Sequence, residues 1–233
     1  MLGYCAKDQL FDFAKRAGNI VTVNRPANNS FTKIYLNDDV DLIITQGNAY
    51  SIKLVGGENL LPGIVTSISD SALSISNTNP FNWMRSYDNK ITAYVTLPHL
   101  LDLEFKATST VTNTDTIRED SLTVSATGGS GYIDLIIKTG TSKLSIINGS
   151  ADMKISGKTG VNFIYSAAYG PFRCLDLQSG YLFIHQASSN DCYVNVQSHL
   201  EYLISGLGNI YYKGNPPEIT GSSTSSGKLI KYN

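Results

Sequence analysis

Aromatic residues crowd the C-terminal half of the chain, among them Tyr165, Tyr169, Phe172, Tyr181, Phe183, Tyr193, Tyr202, Tyr211, Tyr212 and Tyr232. Their chemistry is that of contact rather than turnover, since a ring offers a broad apolar face and tyrosine adds a hydroxyl at its edge. Two placements are open to them. In a chain of stacked strands most rings fill the interior, and that is the expected use. The other is an outward row on which a sugar ring or a partner protein stacks. Tyr211 and Tyr212 are neighbours, so on a strand they point to opposite faces and at least one looks outward. Together with Tyr193 and Tyr169 they are the candidate ligand-binding residues.

Other groupings offer less. Asp38, Asp39 and Asp41 form the densest acidic cluster, but Val40 interrupts it and neither a glycine nor a distant glutamate completes a calcium loop. A solvated turn is expected there. Gly128-Gly129-Ser130-Gly131 lacks the lysine ending and the following helix of a phosphate loop, and reads as a turn. His99, His185 and His199 stand apart, with no zinc motif, nucleophile elbow or cysteine–histidine pairing nearby. Arg173 with Asp176, and Asp134 with Lys154, are expected to be exposed ion pairs between neighbouring coils. Cysteines at 5, 174 and 192 are too few and too scattered for a disulfide framework. Cys174 and Cys192 pair if adjacent coils bring them together and are otherwise buried thiols. No catalytic residue, metal or cofactor is expected.

The elements that position these residues are strands. Residues 1–17 carry a weak helical pattern with Leu10, Phe13 and Ala14 on one face, and read as a leader, tether or cap. From Ile20 the apolar period becomes two, in runs such as Phe31 to Leu36, Val40 to Ile44, Ser51 to Val55, Ile64 to Ile68 and Ile91 to Leu97. Turn residues separate the runs, as at Asn37-Asp38-Asp39 and Gly56-Gly57. From about residue 100 the turns recur at Ala107-Thr108-Ser109, Gly128 to Gly131, Asn148-Gly149-Ser150, Ala167 to Gly170, Ala187 to Asn190, Gly206-Leu207-Gly208 and Ser225-Ser226-Gly227. A fixed period of about 20 residues is the mark of a solenoid, in which each strand pairs in parallel with its equivalent one coil away. Leu175 to Ser179 aligns with Val194 to Ser198 in phase, apolar for apolar, at a separation of 19. The expected fold is an all-β, right-handed parallel β-helix spanning 18–233, less regular over 18–100 and regular over 101–233. A sandwich is disfavoured because it has no reason to repeat its turn chemistry.

Composition agrees. The chain has 233 residues, of which 16% are charged, with a formal net charge of −1. A typical soluble domain is about 25% charged, so long surface helices are unsupported. Near-neutral charge argues against nucleic acid, whose binders cluster lysine and arginine. No apolar run approaches the roughly 18 residues of a membrane-spanning helix.

The run Ile204-Ser205-Gly206-Leu207-Gly208-Asn209-Ile210-Tyr211-Tyr212-Lys213-Gly214-Asn215-Pro216 resembles the S-G-x-G-x-I-x-Y-x-G-x-P signature of the DUF2807 family, the "putative auto-transporter adhesin, head GIN domain" proteins. Phe31-Thr32-Lys33-Ile34, Val40 to Gly47, Glu58 to Leu61 and Val95 to Leu100 are similar to its N-terminal half. The chain departs from the pattern at Ala168-Tyr169-Gly170-Pro171 and Ser188-Ser189-Asn190, where Gly-Ser-Gly turns are the rule. The resemblance implies a right-handed β-helix found mostly in Bacteroidetes, exported to the periplasm or cell surface and often lipid-anchored. It supplies no catalytic residues. It makes Cys5 the candidate lipid attachment, although Met1 to Tyr4 is too short for a signal peptide and Tyr4 is an unusual residue before a lipidated cysteine. A lipid anchor would be the chain's sole membrane contact, and a monomer is expected. The function expected is non-enzymatic binding of a glycan or surface protein. A polysaccharide-active lyase or hydrolase, and a scaffold that assembles by stacking coil ends, are the competing readings.

Overall fold

A computed structural model describes residues 17–79 and 90–232. Cys5 and most of the N-terminal leader therefore lie outside the described residues. The alternation seen in the sequence becomes seventeen strands: β1 (Ile20–Arg25), β2 (Lys33–Asp38), β3 (Asp41–Gln46), β4 (Ser51–Gly57), β5 (Ile64–Ser69), β6 (Ala72–Asn77), β7 (Thr92–Leu97), β8 (Asp102–Ala107) and β9 (Thr110–Asn113), then β10 (Ile117–Gly129), β11 (Tyr132–Ile146), β12 (Asp152–Ser166), β13 (Phe172–Gln186), β14 (Cys192–Ile204), β15 (Ile210–Lys213), β16 (Glu218–Ser223) and β17 (Leu229–Lys231). A short 3-10 turn at Leu61–Gly63 is the one helical element among the described residues.

From β8 onward the strands stack in parallel as a β-solenoid of about six turns. β11 pairs with β12 at a constant offset of 20 residues, from Tyr132 opposite Asp152 to Ile146 opposite Ser166. Each long strand bends between an N-terminal and a C-terminal stretch, which join different ladders. One face carries β8 and the C-terminal parts of β10 to β14, ending at β16. A second carries β9, the N-terminal parts of β11 to β14, then β15 and β17. Most inward residues are apolar: Leu144, Ile164, Leu182 and Ile184 alternate with outward neighbours, and Phe31, Phe105 and Phe172 are fully buried.

The less regular N-terminal part is a distinct cap. β2 and β3 continue the parallel ladder on β8 and β9. Beyond them the chain reverses: β4 lies antiparallel between β1 and β7, and β5 antiparallel on β6. The β5–β6 hairpin turns through Asp70 and Ser71, both at positive φ (51° and 60°), the geometry of a two-residue primed turn.

Two local expectations are corrected. Cys174 pairs with Val194 but Gln178 pairs with Asn195, so the offset drops from 20 to 17 and the in-phase 19-residue alignment of 175–179 with 194–198 is not the register. The coil from β14 is short by two residues, and later pairs such as Ile184 with Tyr202 stand 18 apart. Arg173 meets Asp152 at 2.9 Å rather than Asp176: it stands in register with Lys154 one coil earlier, and Asp152 is two residues from Lys154 on the same face of that strand. Lys154 does meet Asp134, at 3.0 Å.

Cys174 and Cys192 are both buried and unpaired. Burial pushes each thiol up to about 12. At pH 8 the reactive thiolate is then about one part in 10⁴. With Cys5 changed to serine, the folded protein should give no colour with a thiol reagent at pH 8, and unfolding should release two titratable thiols. Rapid labelling of the native protein would contradict the burial.

Candidate functional site

The aromatic residues are not mainly interior, and that expectation is overturned. Isoleucine and leucine fill the solenoid, and of the C-terminal rings only Phe172 is fully buried. Tyr165 (42% exposed), Tyr181 (51%) and Phe163 (40%) point outward, joined by the half-buried Phe183. Strand geometry dictates this: residues flanking an inward Ile164 or Ile184 must face solvent.

The register lines these side chains up in rows along the solenoid. One row reads Asp102, Thr123, Lys143, Phe163, Phe183, Glu201, Thr220 over successive coils. The next row on the same face reads Glu104, Ser125, Ser145, Tyr165, His185, Leu203, Ser222. Polar residues thus stand at both ends and rings only in the middle. Phe163 and Phe183 stack with centroids 5.1 Å apart and planes 15° from parallel, and Tyr165 lies 5.3 Å from His185 at a 42° tilt. Tyr181 and Phe183 each approach His199 at 6.1 Å.

Between the two rows runs an open groove of about 640 Å³, with Leu144, Ile164, Ile184 and Tyr202 behind its walls. Lys143 closes one end and Glu201 the other, three rungs apart, or about 14 Å at the usual strand spacing. Both are exposed and have no partner among the described residues. His185 is held by Ser205 Oγ at 2.8 Å, and His199 Nδ1 by the Glu218 carboxylate at 3.0 Å.

The four tyrosines singled out from sequence do not form one site. Tyr193 and Tyr211 do come together, on the second face, with centroids 5.0 Å apart and planes 9° from parallel, and Tyr232 sets its ring at 88° to both. Burial and the nearby Asp191 carboxylate push the Tyr193 hydroxyl above the usual phenol range, so it stays neutral. Tyr212 instead packs against the core. Tyr169 sits on a corner, 71% exposed and without a ring neighbour among the described residues. Phe163, His185 and Lys143 were missed. The signal was present: Phe163 and Phe183, and Tyr165 and His185, recur at 20 residues around the inward Ile164 and Ile184.

The acidic cluster is used in corners. The Asp38 carboxylate accepts the Asn77 amide at 3.1 Å, and the Asp41 carboxylate accepts the Thr110 amide at 2.8 Å. The described residues hold no group of three or more histidine, cysteine or acidic side chains placed to share a metal ion. No helix among them is long and apolar enough to cross a membrane.

Solved structures share the fold. A "putative adhesin" from Bacteroides fragilis superposes with a TM-score of 0.81 at 20% identity, covering 92% of this chain and 97% of its own. A "putative adhesin" from Parabacteroides merdae gives 0.67 at 16% identity, covering 93% and 97%. A "putative lipid binding protein" from Parabacteroides distasonis gives 0.68 at 20% identity, covering 93% and 98%. Among curated proteins none matches. The sequence profile of the DUF2807 family, "Putative auto-transporter adhesin, head GIN domain", matches residues 30–216, and this chain belongs to that family.

Proposed function

We propose that the protein is a non-enzymatic, adhesin-like binding module of the cell exterior, and that the grooved face between Lys143 and Glu201 takes its ligand. The observation that carries this is the interruption of two otherwise polar rows by Phe163, Phe183 and Tyr165 on consecutive coils. Outward aromatics are not needed to hold a coil, as the threonine and serine at 123 and 125 in the same rows demonstrate. Exposed apolar area of this kind is characteristic of contact surfaces. The family's adhesin description supports the same reading.

Ring orientation favours a protein ligand over a sugar. Phe163 and Phe183 stack along their row, so each gives one face to the other and turns its edge toward the neighbouring row. A stacked sugar needs a free face, whereas apolar side chains pack well against edges. The groove also contains a single carboxylate, Glu201, where glycoside hydrolysis uses a facing pair.

The test is binding of the full chain to arrayed extracellular proteins and glycans, beside Phe183→Ser. Loss of a central ring should weaken a genuine interaction at least about tenfold, as central aromatic contacts do, with the melting temperature followed separately. Binding that survives Phe183→Ser and Phe163→Ser unchanged would remove the groove from the function.

A further inference from the structure

We infer that the groove accommodates an extended polypeptide segment of a partner protein, apolar in its middle, with an acidic group set against Lys143 and a basic group against Glu201. This rests on the groove being the binding surface and adds what it recognises.

Three features fix the occupant. The first is length. Three rungs separate the two charges, and about 14 Å is the span of roughly four extended residues. The second is width. Phe163 and Tyr165, like Phe183 and His185, are two residues apart on one strand, which sets the walls about 7 Å apart. Less the thickness of the side chains, that spacing seats one chain over the groove along the solenoid axis, crossing the strands, with its side chains and not its backbone reaching between the walls. The third is charge. Lys143 and Glu201 have opposite signs, stand at opposite ends and are unpartnered among the described residues. A rim charge of this kind sets orientation and partner choice more than overall affinity.

Other occupants fit less well. A fatty acyl chain would satisfy Lys143 with its carboxylate but bring its methyl end to Glu201. It would also leave half its length facing water, because the groove is open. A glycan would meet ring edges and find few planar polar groups between the two ends. Across the middle of the groove the walls offer Phe163, Phe183, Tyr165 and His185, and alternate apolar side chains of an extended peptide reach such walls on either side.

The experiment is selection of a displayed random nonapeptide library on the full chain, with Phe183→Ser, Lys143→Glu and Glu201→Lys run in parallel. The expected result is enrichment of sequences with an apolar centre and an acidic and a basic residue about four positions apart. Enriched peptides should bind Lys143→Glu about two- to fivefold more weakly, the range of an exposed ion pair. Changing the peptide's acidic residue to lysine should restore that loss, and Glu201→Lys should behave in mirror image. Enrichment without the charge spacing, or affinities indifferent to both charge variants, would overturn the inference. So would a selection no richer than the Phe183→Ser control. In each of those cases, glycan or acyl-vesicle binding that is still lost in Phe183→Ser leaves the groove as the binding surface. Binding of any kind that ignores Phe183 would dispose of the groove itself.

Discussion

Phe172→Ala is expected to lower the free energy of unfolding by about 3–5 kcal/mol, the largest effect of any single substitution considered. Phe172 is fully buried at the start of β13, in register with Met153 on one side and Cys192 on the other. Truncation removes the transfer free energy of the ring and leaves a void that the stacked coils cannot close, since each rung is pinned by its ladder. Chemical denaturation followed by circular dichroism measures the loss. A change below about 1 kcal/mol would mean that neighbouring coils collapse into the space, contrary to the rigid-rung picture. The outward Phe163→Ser serves as the contrast, because its half-exposed ring contributes less burial.

Gly129→Ala is the second. Gly129 turns the corner between β10 and β11 with φ of +77°, a conformation that costs an L-residue about 1–2 kcal/mol. Space forbids it as well: an added Cβ would lie 1.9 Å from the Ala107 carbonyl oxygen of the preceding coil. Backbone cannot yield as a flexible side chain does, so an overpacking cost of about 1–3 kcal/mol adds to the first. The combined destabilisation should be about 2–5 kcal/mol by thermal or chemical unfolding. Gly128→Ala is the internal control. Its nearest neighbour would be Lys106 Cγ at an ordinary 3.5 Å, and the effect there should be small. Equal effects at 128 and 129 would refute the corner argument.

Much of this was written legibly in the chain. Alternation located the strands because their inward residues are apolar and their outward ones are not. The 20-residue rhythm was visible because corners such as Gly129 and Gly149 need small residues where coil backbones touch. The cap was not legible as antiparallel, since period-two alternation is identical in parallel and antiparallel strands and β4 finds β1 and β7 far along the chain. A second set of corners also escaped notice. Thr139-Gly140, Thr159-Gly160 and Ser179-Gly180 repeat every 20 residues, but the strand pattern runs through them. There the buried hydroxyls of Thr139 and Thr159 bond at 2.9 Å, and Ser142 donates to Asn162 Oδ1 at 2.9 Å, so polar side chains fill the interior with their bonding satisfied.

The site was half legible. The abundance of tyrosine points to Tyr193 and Tyr211 and equally to Tyr212 and Tyr169. The structure stacks Tyr193 on Tyr211, packs Tyr212 against the core and leaves Tyr169 on a corner. Register is what gathers Lys143, Phe163, Phe183 and Glu201 into one line, and the two-residue shortening beyond Cys174 shifts which residue of β14 joins it. A constant 20-residue count from Phe183 would have placed Leu203 there instead of Glu201.

The antiparallel cap has a further consequence when the fold is expressed as separation along the chain. In the regular coils a residue's ladder partner is 20 positions away, a small fraction of the whole length, so contacts in this all-strand protein are nearly as local as those of a helical bundle. At the cap, β2 meets β8 and β3 meets β9 across 69 residues. Closing that longer loop demands about 1 kcal/mol more chain entropy than closing a regular coil. The parallel coils are therefore assembled from short-range neighbours, and the topological burden of the molecule is concentrated at one end.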